Sequence, residues 1–132
     1  MRLLLDTHAL IWFLVDPKRI PQKTLRLMEK SETAVWFSTI SLWEISLKFS
    51  LGKLRLKNIS PEILLHEAKE QGFNLITVSE ADALGFRNIP PHLHTDPFDR
   101  MLIWQAIGRD LTLVSGEPGL DEYRRLGLAW LW

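Results

Sequence analysis

The stretch His94-Thr95-Asp96-Pro97-Phe98-Asp99-Arg100 lies between a proline-rich segment, Ile89-Pro90-Pro91, and a strongly apolar run. Proline is tolerated in the first turn of a helix, where its missing N–H would have had no partner, so Pro97 reads as the first helical residue and Asp96 as its N-cap. Phe98, Met101, Leu102, Ile103, Ala106 and Ile107 then recur at helical spacing, which gives a helix with a broad buried face. Asp96, Asp99 and Arg100 stand together at the wet end of that element. An N-cap acid with a second acid in the first turn also serves capping and the helix dipole without any chemistry. The stretch acquires a functional meaning only if other carboxylates arrive beside it.

Working outward, Arg2 to Leu5 is a short apolar run ending on Asp6, and Thr7 to Val15 carries a helical pattern up to the Asp16-Pro17 break. Pro21 to Lys30 reads as a helix, Ala34 to Phe37 as a buried strand, and Ser41 to Ser50 as a helix opened by a Ser41–Glu44 capping box. Pro61 to Gln71 predicts a helix stopped by Gly72, Asn74 to Val78 a strand, and Glu80 to Phe86 a short helix. After the Phe98 to Arg109 helix come a strand at Leu111 to Val114, a short helix at Leu120 to Arg125 and a last strand at Leu128 to Leu131. Strands that alternate with helices and are apolar on both faces belong to a mostly parallel sheet covered on both sides. The expectation is one α/β domain spanning residues 1–132, three layers deep, with about five strands.

Composition sets the bounds. The chain has 132 residues and 46% hydrophobic content, enough for one real core. Its 16 basic and 16 acidic residues cancel, which argues against nucleic-acid binding by bulk charge and leaves local basic patches open. With no cysteine there are no disulfides and no thiolate metal sites. There is no signal-peptide pattern, and the longest apolar run, Ala9 to Val15, is far too short to span a bilayer. The expected setting is soluble and cytoplasmic, away from membranes.

In an open α/β sheet, ligands bind beyond the carboxyl ends of the strands, near the point where strand order reverses. Asp6 ends the first strand, Glu44 follows the second, Asp96 and Asp99 open the helix before the fourth, and Glu117 follows that strand in Ser115-Gly116-Glu117. One such acid is ordinary; four or five converging on one sheet edge are not. Packed carboxylates repel and raise one another's pKa unless a cation neutralises them. Oxygen ligands without a histidine or cysteine set select hard cations such as Mg²⁺ or Mn²⁺, and that chemistry suits phosphodiester hydrolysis.

Three segments carry a family resemblance. They are Leu4-Leu5-Asp6-Thr7-His8-Ala9-Leu10-Ile11-Trp12; Ile40-Ser41-Leu42-Trp43-Glu44-Ile45 with Lys48 and Gly52-Lys53-Leu54; and His94 to Arg100 with Gln105-Ala106. Together, and in this order, they resemble PIN-domain ribonucleases, most of all the VapC-type toxins of bacterial toxin–antitoxin pairs. The resemblance implies a PIN-like fold and an Mg²⁺- or Mn²⁺-dependent endoribonuclease. It makes Asp6, Glu44 and Asp99 the catalytic, metal-binding acids, Asp96 the extra acid of the subgroup, and Thr7 the hydroxyl beside the first acid. It also implies an RNA substrate, a cognate antitoxin and a homodimer. The family's last motif usually reads Thr-x-Asp; here it is Ser115-Gly116-Glu117, so Glu117 is the expected but displaced fourth metal ligand and Ser115 the substituted hydroxyl.

Other residues stay open between roles. Lys48, Lys53, Arg55 and Lys57 are either a solvated face or a track for an RNA backbone. Arg100 is a phosphate clamp or an ion-pair partner of Asp96 or Glu44. His92, His94 and Asp96 alternate, but a zinc site there lacks an evident fourth ligand. The six tryptophans read mostly as core, with Trp130 and Trp132 also suited to a dimer or partner surface. Three rival functions fit less well or differently. An aspartyl-phosphate hydrolase would want an acid where His8 stands, a receiver-type switch would want one near Val78-Ser79, and a PIN-like binding module would have lost activity through Glu117.

Overall fold

The computed structural model describes all 132 residues. Five strands, β1 (Arg2–Leu5), β2 (Ala34–Ser38), β3 (Asn74–Ile76), β4 (Thr112–Val114) and β5 (Ala129–Leu131), pair in parallel in the order β3-β2-β1-β4-β5. The α-helices are α1 (Thr7–Val15), α2 (Gln22–Met28), α3 (Thr39–Ser50), α4 (Pro61–Glu70), α5 (Glu80–Gly85) and α6 (Pro97–Arg109). The sheet is therefore the covered parallel sheet that the apolar strands predict. No helix is long and apolar enough to cross a membrane.

Consecutive β1 residues point to opposite faces, and both faces are sealed. Leu4 packs with Leu102, Ile103, Ala106, Leu113 and Tyr123, whereas Leu3 and Leu5 pack with Ala9, Leu10, Phe37, Leu64 and Ala68. All three leucines are 0% exposed, each contributing about 1.5–3 kcal/mol of hydrophobic stabilisation. The order of strands has a functional consequence. From β1 the chain builds outward through β2 to β3, then crosses to the other side of β1 to lay down β4 and β5. The reversal lies between β1 and β4, so a crevice opens beyond their carboxyl ends.

Local expectations fail in places that have physical reasons. Helix α3 starts at Thr39, capped by the Ser38 hydroxyl, and so Ser41 and Glu44 are not a capping box. Strand β3 stops at Ile76 because Ser79 and Asp82 form a capping box for α5 just beyond it. The segment Leu120–Leu126 is a 3-10 helix, set between Gly119 (φ 84°) and Gly127 (φ 99°), whose left-handed backbones other residues adopt only with strain. None of the six tryptophans is fully buried: five are part-buried and packed against the core or one another, and Trp43 is 63% exposed. Their size makes complete burial rare.

A buried polar chain ties the sheet to α5 and α6. The Ser38 hydroxyl donates to Gln105 Oε1 (2.6 Å), Gln105 Nε2 donates to Asp82 (3.1 Å), and Arg109 forks onto both Asp82 oxygens at 2.9 and 2.8 Å. Burial disfavours the charge on Asp82, but Arg109, the Ser79 amide and Gln105 together outweigh it and hold the pKa at about 2. A depressed carboxyl contributes stability above its ordinary pKa of 3.8 that is lost as the pH falls through about 2. Asp82→Asn is expected to lower the urea stability by about 1–3 kcal/mol at pH ~7. The gap should close as the pH drops from about 4 towards about 2. Equal urea midpoints for the two proteins near neutrality would contradict this.

Candidate active site

The crevice beyond β1 and β4 is lined by Asp6, His94, Asp99, Ser115 and Glu117 over a floor of Leu102, Ile103, Leu113 and Leu120. Each polar residue sits where an element ends. Asp6 follows β1, its amide bonding to Val114 of β4, and its Oδ1 caps α1 by accepting from the Ala9 amide at 2.7 Å. Ser115 follows β4, accepts from the Glu117 amide at 3.1 Å, and its hydroxyl favours the charged form of Asp6. Asp99 is carried into the crevice by α6, whose N-cap Asp96 accepts from the amides of Phe98 (2.8 Å) and Asp99 (3.3 Å). The opening stretch thus does both things at once: Asp96 caps, and the first turn delivers Asp99.

Electrostatics binds the acids into one set. Burial, and then the charges of Asp96, Glu117, Glu44 and Asp6, push the Asp99 pKa up to about 7. Burial also raises Asp6, with Glu117 adding to it, against the lowering effects of Ser115, the Ala9 amide and His8. Glu44 is 2% exposed on α3. One of its oxygens pairs with Lys48 a turn later, and the other, Oε1, is buried without a partner. Burial works against the Lys48 charge, yet Glu44, helped by Asp96 and Asp99, holds the ammonium above its usual pKa.

The donor set fits a hard divalent cation. It is composed of carboxylate oxygens, one of them orphaned in the interior, and the charges of the other four acids add to burial in raising the pKa of Asp99. No three acidic or histidine side chains are gathered at chelating distance.

Several sequence expectations are corrected. Thr7, the hydroxyl beside the first acid, is buried and donates to the Ser41 hydroxyl at 3.1 Å, so it ties α1 to α3. Arg100 pairs with neither Asp96 nor Glu44; it donates to the Ile89 carbonyl (2.9 Å) and lies over the Phe86 ring at 4.6 Å, holding the proline-rich segment to α6. Lys48 is the counter-charge of Glu44, whereas Lys53, Arg55 and Lys57 are exposed beyond the end of α3. His94 does not join His92 in a zinc site: His92 is exposed, and His94 Nδ1 meets the Tyr123 hydroxyl at 2.9 Å. The sequence reading missed Tyr123 altogether and read Ser41 only as a cap, since their partners lie 29 and 34 residues away in the chain.

A PIN-domain family model matches residues 3–126. The chain belongs to the PIN-domain family. PIN domains are generally nucleases that use divalent metals. No curated protein matches this sequence. Among solved structures, the fold is similar to VapBC2 from Rickettsia felis bound to a promoter DNA fragment (18% identity, TM-score 0.69, covering 100% of this chain and 99% of that one). It is also similar to VapBC-1 from nontypeable Haemophilus influenzae (17%, TM-score 0.68, 99% and 97%). DNA-bound VapBC from Salmonella typhimurium is a further likeness (20%, TM-score 0.65, 99% and 97%). The whole length of this PIN domain takes part in these matches.

The acid set has a measurable cost in the cation-free PIN domain. Because the folded pKa of Asp99 is raised to about 7, its contribution to stability is full below the ordinary value of 3.8 and is lost as the pH rises through about 7. Asp99→Asn should therefore stabilise the protein in EDTA at pH ~8, by about 1–2 kcal/mol once solvent screening is allowed for, or roughly 3–8 °C in melting temperature. Near pH ~4 the two proteins should melt together. A variant that melts lower at alkaline pH would show that the carboxylate supports the fold.

Proposed function

We propose that this PIN domain is a divalent-cation-dependent endoribonuclease, the toxin component of a VapC-type toxin–antitoxin pair. Asp99 is the observation that carries this reading. A rigid helix holds a carboxylate where burial and four other acids push its pKa to about 7, an arrangement that costs stability unless a cation takes it up. Asp6, Asp99 and Glu117 would hold Mg²⁺ or Mn²⁺, with Asp96 and the free Oε1 of Glu44 as the adjoining acids. The ion, when bound, stabilises charge on the phosphate and lowers the pKa of the attacking water. The chain's own groups do the rest. Ser115 orients Asp6, Lys48 offsets the charge of Glu44, and the exposed Lys53 with Arg55 and Lys57 offers phosphate contacts to an RNA backbone.

The partners proposed are a cognate antitoxin and a second copy of the chain. The VapBC neighbours support the first. For the second, Trp43 (63% exposed) and Leu47 on α3, Leu51 at its C-cap and Leu84 (68% exposed) on α5 leave large apolar side chains at the surface, the kind of surface that marks a protein interface where it is contiguous.

Cleavage of single-stranded RNA should need Mg²⁺ or Mn²⁺ and stop in excess EDTA. Asp6→Asn, Glu44→Gln and Asp99→Asn should each reduce it by about 100-fold or more while the fold survives. Glu117 stands one methylene further from its backbone than the family's Asp, so Glu117→Asp should stay within about tenfold of the parent. Undiminished cleavage in EDTA would overturn the cation assignment. RNA bound tightly but never cleaved would favour the alternative of an impaired binding module.

A further inference from the structure

His94 shares the crevice with Asp6, Asp99, Ser115 and Glu117, and nothing in the proposed cation chemistry uses it. The ring is held by Tyr123: its Nδ1 lies 2.9 Å from the Tyr123 hydroxyl, and the two ring centroids are 5.3 Å apart. Its other nitrogen, Nε2, makes no hydrogen bond within the chain.

The direction of the His94–Tyr123 bond follows from burial. Tyr123 is 0% exposed, and His94 is the partner of its hydroxyl. If the imidazole donated, the phenol proton would be left in the interior with no acceptor, at a cost of about 1–3 kcal/mol. If the phenol donates to Nδ1, both groups are satisfied and the imidazole proton stands on Nε2. The crevice otherwise presents acceptors: the carboxylates of Asp6, Asp99 and Glu117, with the Ser115 hydroxyl accepting from the Glu117 amide and favouring the Asp6 charge. A phosphodiester placed among them needs a donor that is not itself a carboxylate's partner.

We propose that His94 is a substrate-binding residue of this site, its Nε2–H donating to a phosphate oxygen of the RNA, with Tyr123 as the positioning residue that fixes the tautomer. The inference rests on the nuclease reading, deepens it, and assigns the two residues that the motif acids leave unexplained.

Three variants and three kinds of measurement test it. With single-stranded RNA and Mn²⁺, His94→Ala should lower kcat/KM by about 10–100-fold, while calorimetry finds its Mn²⁺ affinity within about twofold of the parent. His94→Gln, whose amide nitrogen reaches the place of Nε2, should recover most of the loss. Long-range nitrogen–proton NMR on the parent should show the Nε2–H tautomer and a shift of that nitrogen when a ribose-methylated, uncleavable RNA oligonucleotide is added. Tyr123→Phe should mix the tautomers. Unchanged cleavage by His94→Ala overturns the proposal, as does an Nδ1–H tautomer in the parent. Loss of Mn²⁺ affinity in His94→Ala would overturn it differently, by making His94 a metal ligand. If the parent cleaves no RNA, the nuclease reading has failed; the oligonucleotide-induced shift at Nε2 then decides this proposal by itself. Should His94→Ala fail to fold, His94→Gln and the NMR measurements still decide between the two outcomes.

Discussion

Mutual repulsion among carboxylates is the constraint on which this molecule's organisation depends. Asp6, Asp96, Asp99, Glu44 and Glu117 are brought near one another by four different parts of the chain, and the raised pKa of Asp99 registers its burial together with the charges of the other four. Folding gathers these charges against their electrostatic preference, so the surrounding structure has to hold them. It does so with apolar packing of β1 and α6, with the Asp96 and Asp6 caps that commit part of each carboxylate to backbone amides, and with Lys48 beside Glu44. The site is pre-organised by elements whose stability comes from elsewhere.

The parallel sheet explains why the acids meet at that point. Every strand runs the same way, so every strand end that carries an acid delivers it to the same edge. The strand reversal between β1 and β4 then opens a crevice at that edge. The Ser38–Gln105–Asp82–Arg109 chain lies behind this edge. It locks α5 and α6 to the end of β2 with a fully satisfied buried acid. Two kinds of aspartate therefore coexist in one fold: Asp82, stabilised by an arginine and held at about 2, and Asp99, opposed by burial and by its neighbours and held at about 7.

Much of this was legible in the sequence because it depends on local chemistry. Pro97 after Asp96 marks a helix start, and Arg2 to Leu5 ending on Asp6 marks a buried strand with an acid at its end. The family likeness of three short segments is carried by the residues themselves. What the sequence concealed depends on distant partners. Thr7 and Arg100 looked available for substrate, and only the fold reveals Ser41 beside one and the Ile89 carbonyl with the Phe86 ring beside the other. Ser41 and Glu44 imitate a capping box, but Ser38 competes for the helix start and wins because β2 runs directly into α3. The pairing of His94 with Tyr123 spans a loop, a helix and a strand, and no periodicity announces it.

Taken as a cation site held in waiting, the acid cluster should keep Asp99 protonated until the ion arrives. Calorimetric titration of Mn²⁺ into the protein, repeated in buffers of different ionisation enthalpy, counts the protons released on binding. At least about one proton per ion is predicted at pH ~6, where Asp99 with a pKa of about 7 is mostly protonated and burial also raises Asp6, with fewer released at pH ~8. Binding without proton release at the lower pH, or no binding at either, would contradict that central claim.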